Sequence, residues 1–421
     1  MKVINNLSFS IIIQRLLVSL AALLLVRIGS FLPVPGIDHI DLALYIQNNP
    51  LVKNIVSTFS GKDIFVIGLF TLNIFPFVNA SIFIQVIIAF SPALSQLQKE
   101  GDLESRRSLN RLTRFVTLIW AIVQSIGIGF YLRPILFNWN IGLLLEIIIV
   151  LTTGAMIVLW LSEIVTDYGL GNGASLFIFS NIVSSFPNLF KVLLTENIDN
   201  LTIYSIAIII CLIVSSLYGI VLLQEAIRRV PIVSLRQLRQ FSSGSLDSSI
   251  LVKNYIPLRL NQAGVMPIIL TATVLVLPGY LSNFGLFSQL NLSSLGNFPK
   301  ILYWITYFGL ILLFSSFYST IVLNPKDISD QLLKMSVAIP GIRPGIQTTF
   351  YLKKVMTRLT ILGAFILAGL ATLPNLIEIV LHASSLNRLS VTSLLIVAGV
   401  LIDLSREVED IIYSNIYKKK L

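Results

Sequence analysis

The sequence predicts an all-α membrane protein, with ten transmembrane helices arranged as two inverted halves of five, and three observations lead there. Of the 421 residues 55% are hydrophobic and only 12% charged, with a mean hydropathy of +0.86, whereas a soluble chain carries about 25% charged residues. The apolar residues gather into ten runs, each near the roughly 18 to 22 residues that a helix needs to cross a hydrocarbon core. The charges in turn gather into the short segments between those runs, as expected when charge sets orientation rather than solubility.

In chain order the runs lie near 16–34, 74–92, 115–132, 141–162, 174–194, 203–223, 264–281, 301–323, 359–377 and 391–404. Pro187 interrupts the fifth, and the tenth is short. The first is followed by "FLPVPGID" rather than a small-residue cleavage site, so it reads as a retained span and not a signal peptide. Of the 30 Lys and Arg, 23 fall at the N-terminal flank, in the loops after spans two, six and eight, and in the tail, against six on the other side and Arg27 within span one. By the positive-inside rule both termini and the two longest basic loops, near 224–262 and 324–358, face the cytoplasm or its equivalent. An odd number of spans per half inverts one half relative to the other. The division expected is residues 1–202 with spans one to five and residues 203–421 with spans six to ten.

Several functions are disfavoured by the same residues. The net charge of +10 and pI near 9.6 are explained by the inter-span loops, so no direct nucleic-acid role is expected. The single Cys211 lies in an apolar run, and His39 and His382 are far apart in sequence, which leaves neither a disulfide framework nor a metal set. There is no Ser/His/Asp arrangement and no phosphate-binding loop, so the chain is not expected to be an enzyme or to hold a cofactor, and the energy for any transport must come from a partner.

One span is unusual. "NIFPFVNASIFIQVIIAF" (73–90) carries Asn73, Pro76, Asn79, Ser81 and Gln85 in an otherwise apolar run. Unpaired polar groups in hydrocarbon cost about 2 to 7 kcal/mol each, so this helix is expected to face protein or water. Ile74 and Val78 are four apart and share one of its faces. Upstream, "FSGKDIFVIGLFTL" is apolar but too short to cross, which suits an interfacial helix or a re-entrant segment, and its run into the polar-spotted helix favours the second.

At this point eight stretches carry a resemblance: "RIGSFLPVPGID", "FPFVNASIFIQ", "KEGDLESRRSLNRLTRFVTLIWAIVQSIGI", "WLSEIVTDYGLGNGASLFIF", "LRLNQAGVMP", "NPKDISDQLLKMSVAIPGIRPGIQT", "KVMTRLT" and "TSLLIV". In that order and spacing they resemble the SecY family, the channel subunits of Sec protein translocases, in its plastid-encoded type. The resemblance implies an hourglass channel of two five-helix halves with a short plug helix and a lateral gate. It would pass unfolded, signal-bearing preproteins across the membrane and release membrane segments sideways into lipid.

Carried over by position, the resemblance implies a pore ring at Ile74, Val78, Ala174, Ile178, Ile269 and Ile396. All six are apolar, as a dewetted constriction without binding sites requires. Ala174 is smaller than the isoleucine often found there. The implied plug is Phe65, Val66, Ile67, Gly68, Leu69, Phe70, Thr71 and Leu72, and the implied lateral-gate polar groups are Asn79, Gln85, Gln124 and Asn261. The basic loops serve orientation whatever else they do, but "AIPGIRPGIQT" sets Arg343 among turn-forming Pro and Gly residues, and orientation needs no rigid tip. The resemblance makes Arg343, with Arg228, Arg229 and Arg236, a docking site for the SecA motor ATPase or the ribosome. The linker holding the last three departs from the common bacterial pattern, and Val391 stands where the family commonly has Gly. A SecE subunit is implied as a clamp around the halves, with a SecG-like subunit as a further possible partner. The wealth of Ile, Leu, Asn, Ser and Phe resembles copies encoded in AT-rich plastid genomes, hence a thylakoid membrane with stromal termini; a bacterial cytoplasmic membrane is the alternative. The rival function is a secondary transporter with inverted repeats. It would place paired ionisable groups near the midplane, where the candidates are Arg27, Glu146 and Asp403.

Overall fold

The computed structural model describes residues 2–34, 68–91, 103–133, 140–184, 203–234, 254–261, 298–322, 324–381 and 391–418, with positions 94, 96, 264, 266–268, 270, 271 and 274. The described chain is helical apart from turns and two short antiparallel ladders. Its contacts divide it into two units, one of residues Met1–Leu201 with Val400–Leu421 and the other of Thr202–Gly399.

The first unit contains α1 (Lys2–Gly29), α2 (Phe75–Phe90), α3 (Leu103–Leu132), α4 (Ile141–Tyr168) and α5 (Gly173–Val183). Helix α2 begins where Asn73 adopts φ 47 and its Oδ1 accepts from the Ile74 N–H at 2.8 Å. Pro76 in the first turn costs nothing there, because the amide it lacks would be unpaired anyway. Helix α3 is longer than the expected span at 115–132: it starts at Leu103, and its polar first turns carry Arg106, Arg107, Arg111 and Arg114. Arg114 makes a two-pronged contact with Glu163 of α4, Nε and Nη2 each donating at 2.8 Å. Deeper along the pair, Ser125 and Thr152 hydroxyls meet at 3.2 Å. Phe83 of α2 lies edge-on to Trp120 of α3, ring centres 6.5 Å apart.

The α4–α5 connection is held by side chains. Ser19 of α1 donates to the Arg15 carbonyl and accepts from Leu170 N–H, both at 2.9 Å. Thr166 accepts from Gly173 N–H, and Asn172 caps α5 through Ala174 N–H, both at 3.0 Å.

The second unit contains α6 (Ile203–Glu225), β1 (Ile227–Pro231), β2 (Val233–Ser234), β3 (Tyr255–Arg259), α7 (Phe298–Val322), α8 (Pro325–Lys334), β4 (Val337–Ala338) and α9 (Ile346–Leu381). The last helix, α10 (Val391–Lys418), passes from this unit into the first at residue 400. Ile220 and Leu223 of α6, Tyr307 and Ile311 of α7, and Leu367, Ala368 and Ala371 of α9 form a buried core with Ile268. At 36 residues α9 would be about 54 Å long at the usual rise, nearly twice what a bilayer core needs. Its expected span at 359–377 is therefore only part of one continuous helix.

The two ladders correct the all-α expectation in detail. β1 pairs antiparallel with β3, Ile227 opposite Arg259 and Pro231 opposite Tyr255, and β2 pairs with β4, Val233 opposite Ala338. They form because Val230 and Leu258 turn inward onto a second core with Leu332, Ile339, Leu352, Val355, Met356 and Leu359, while Arg228, Arg229 and Arg259 turn outward. Partners so far apart in sequence have no local hairpin signal to reveal them.

Candidate functional site

The second core carries the loop around Arg343, and nearly every backbone group there has a stated reason for its position. Ile339 is buried, and Ile342 N–H donates back to its carbonyl at 3.1 Å. Between them Pro340 and Gly341, the latter at φ 77, carry the Pro-then-Gly signature of a type II turn. Gly345 sits at φ 100, where a side chain would be strained. Its carbonyl accepts from Ser329 Oγ at 3.0 Å and from Thr349 N–H at 3.1 Å. Thr348 Oγ1, from the first turn of α9, donates to the Arg343 carbonyl at 3.0 Å. Ser329 and Thr348 are buried, while the Arg343 side chain is exposed. Arg343 is thus presented outward from a backbone held from both sides.

Arg228 and Arg229 are exposed on β1, and the Arg229 guanidinium lies 5.0 Å from the Tyr255 ring centre on β3. That stacking orients a cation without neutralising it. Arg236 lies outside the described residues. Sequence reasoning missed Tyr255, Ser329 and Thr348, the groups that hold the cations' frame. Only the capping pattern at Asn324, whose Oδ1 accepts from Lys326 N–H at 3.1 Å, hinted at the short helix α8 that supplies Ser329.

In the first unit the implied ring residues Ile74, Val78, Ala174 and Ile178 are buried, at 1%, 2%, 4% and 5% exposure. They form two pairs, each four residues apart, one on α2 and one on α5. In the second unit Ile396 is half-buried against the α6–α7–α9 core, and Ile269 lies outside the described residues. Of the implied gate groups, Asn79 is half-buried, and the Oε1 atoms of Gln85 and Gln124 are buried with no hydrogen-bond partner among the described residues. Asn261 Nδ2 donates to Gly264 O at 2.9 Å.

Of the implied plug, residues 65–67 lie outside the described part, and Gly68–Leu72 is not the short helix expected but a bridge followed by successive turns. Gly68 pairs with Pro33, Leu69 N–H donates to Leu32 O at 2.9 Å, and Thr71 and Asn73 N–H close turns onto Gly68 and Phe70 carbonyls. The reason is packing. The Phe70 ring fills a notch at Gly29, where an added Cβ would come within 2.0 Å of it, and the backbone reaches α4 at Gly154, where a Cβ would lie 2.0 Å from Leu69 O. Successive turns closed by i→i+3 hydrogen bonds bring the chain into these close approaches.

The transporter reading required paired ionisable groups. Arg27 instead donates to the Ser184 hydroxyl at 2.9 Å and lies 5.3 Å from the Phe31 ring centre, and Glu146 is exposed. Buried apolar pairs such as these offer no group to coordinate a small solute.

The model of the SecY family matches residues 68–405. The protein translocase subunit SecY of Trieres chinensis is 56% identical over 411 residues, covering 96% of this chain and 97% of its own. Among solved structures, one described as "The structure of a protein conducting channel" matches with TM-score 0.61 at 18% identity, over 94% of this chain and 92% of its own. The Sec61 chain of a canine ribosome–channel complex from the endoplasmic reticulum matches with TM-score 0.58 at 20% identity, over 94% and 92%. The chain belongs to the SecY family. It is a membrane-embedded, protein-conducting channel subunit of a translocase, as the eight sequence stretches implied.

Proposed function

We propose that this chain is the central pore of a Sec translocase driven by a partner that docks on the Arg343 loop. The observation that carries the docking site is an exposed guanidinium on a backbone held by Ser329, Thr348 and two turn glycines. Charge placed for orientation alone needs no such frame. The partner would be the SecA motor or a ribosome; the likeness to a channel solved with a ribosome supports the second by fold alone. Arg228 and Arg229, exposed on β1, are further docking residues in this reading, with Arg236 carried from the sequence. The residues around Ile74, Val78, Ala174 and Ile178, with Ile269 and Ile396, form the constriction, Gly68–Leu72 is the fixed end of the plug, and Asn79, Gln85, Gln124 and Asn261 line the lateral gate. The two halves of five spans are clamped by SecE, with or without a SecG-like subunit. The plastid thylakoid membrane, with stromal termini, is the location that the composition and the Trieres chinensis relative support.

Arg343→Glu tests the reading. In proteoliposomes with motor and ATP it should lower preprotein transport at least tenfold, while complex assembly and resting ion tightness stay at parental levels. Unchanged motor-driven and ribosome-coupled transport would remove Arg343 from the docking site.

A further inference from the structure

One cavity of the second unit is not used by the reading above. It has a volume of about 450 Å³ and opens where the end of α7, the start of α8 and the early part of α9 meet. Lys326 and Lys353 stand at its polar end, both exposed, and neither has an ion pair with any described residue. Ser319 and Thr360, both buried, share a hydrogen bond at 2.7 Å on its wall. The hydroxyls of Ser316 and Thr357 donate to the carbonyls of Leu313 and Lys353, at 2.8 and 2.9 Å. No described carboxylate lines the cavity, so its charge is positive.

The other end is apolar. Ile361 lines the cavity; Ile361 and Phe365 are 55% and 61% exposed one turn apart on α9, and Leu313 of α7, whose carbonyl accepts from the lining Ser316, is 57% exposed. Phe308 meets Phe365 edge-on at 5.5 Å, giving that strip an aromatic floor. Lys353, Thr357, Ile361 and Phe365 follow at intervals of four, so they lie along one face of α9. From Lys353 to Ile361 is about 12 Å along the helix, enough to pass through a headgroup layer into hydrocarbon.

The geometry points to a binding site for an anionic lipid: the phosphate or sulfonate headgroup lies between Lys326 and Lys353, and an acyl chain lies along Ile361, Phe365 and Leu313. Lysine stems bury against the apolar wall while their ammonium groups meet the anion. A soluble phosphate shares the headgroup chemistry but has no use for the apolar strip, which is what commits the site to lipid.

The test uses the full chain, purified with its translocase partner subunits into nanodiscs doped with a phosphatidylglycerol bearing a photoreactive acyl chain. Cross-links should map to α7 and α9 around Leu313 and Ile361. K326Q/K353Q should reduce their yield about 25-fold, from roughly fivefold per basic residue at an anionic surface. K334Q/K354Q removes the same charge from the same two helices outside the cavity and should leave the yield within about twofold, since charge beyond the immediate surface falls off with screening. Equal loss in both variants would show a diffuse basic surface rather than a site. Suppression by inorganic phosphate would assign the cavity to a free anion, and cross-links found only after the partner subunits are stripped away would assign the strip to protein contact; each result overturns the proposal. Because ion tightness and motor docking do not enter this readout, its failure leaves the channel and docking readings untouched.

Discussion

The Arg343 loop and the Gly68–Leu72 segment are both short, irregular and important, yet they are held by different forces. At the loop, buried hydroxyls of two neighbouring helices bond the backbone directly, and two glycines at positive φ set the path. At Gly68–Leu72 the tertiary hold is an aromatic ring in a glycine notch, a close approach to α4, and one bridge to the chain after α1. Hydrogen bonds to side chains fix a geometry, and losing one leaves a buried group unpaired at a cost of about 1 to 3 kcal/mol. A ring in a notch holds by dispersion and shape, which vanish smoothly once the segment moves. On the function proposed above, a docking tip that presents one cation in one place is suited by the first, and a plug segment that leaves its seat by the second.

The largest expected effect comes from blocking the close approach to α4. Gly154→Leu puts a side chain where even Cβ would lie 2.0 Å from Leu69 O, so Gly68–Leu72 cannot seat. Resting ion conductance of the reconstituted channel should rise at least tenfold, with a stability loss of about 1 to 3 kcal/mol from overpacking. A channel that stays ion-tight would mean that this segment does not contribute to the seal.

Next is the double substitution Ile74→Asn with Val78→Ser. If these buried side chains border the constriction, it should hydrate, because a dewetted gate depends on apolar walls. Conductance should rise severalfold, and preproteins with weak signal sequences should be accepted more readily. Parental tightness together with parental signal discrimination would assign both residues to packing instead.

Gly345→Ala acts on the other side of the comparison. At φ 100 a Cβ is strained, at a cost of about 1 to 2 kcal/mol, and relief would shift the carbonyl that Ser329 and Thr349 hold. Motor-driven transport should fall about three- to tenfold with no change in resting conductance. A leak without a transport defect would reverse the roles given to the two regions.

The smallest effect is expected at the amides. Gln85→Leu and Gln124→Leu each remove a buried oxygen that has no partner, and interhelical hydrogen bonds in membranes average only about 0.6 kcal/mol. Thermal unfolding in nanodiscs should be unchanged or slightly raised. A large drop would show that these amides make a bond in the lipid-embedded protein that matters for stability.

Much of the helical scaffold was legible from the sequence because the bilayer imposes a length that can be counted. The runs at 141–162, 203–223 and 301–323 coincide with α4, α6 and α7. The extensions of α3 to Leu103 and α9 back to Ile346 were not legible, since their basic residues read as loop; in α9 Leu352, Val355 and Met356 pack into a core, and in α3 Arg114 is paired with Glu163 of α4. The β1–β3 and β2–β4 ladders escaped for the opposite reason, each strand being too short to show a period. At the candidate site Arg343 was legible from its Pro and Gly neighbours, whereas Ser329, Thr348 and Tyr255 were not, because nothing local tells a serine which carbonyl it will meet.

By itself, then, the sequence determined which segments leave water, where charge accumulates, and where turn residues force the chain to bend, since transfer free energy and backbone sterics act on each residue with little regard to distant ones. Tertiary structure alone decided that Phe70 sits at Gly29, that Leu69 reaches α4 at Gly154, and that the Arg343 backbone is bonded from α9. Those contacts join residues far apart in the chain or depend on how neighbouring helices pack, and their energy exists only once packing has brought both partners to the same place.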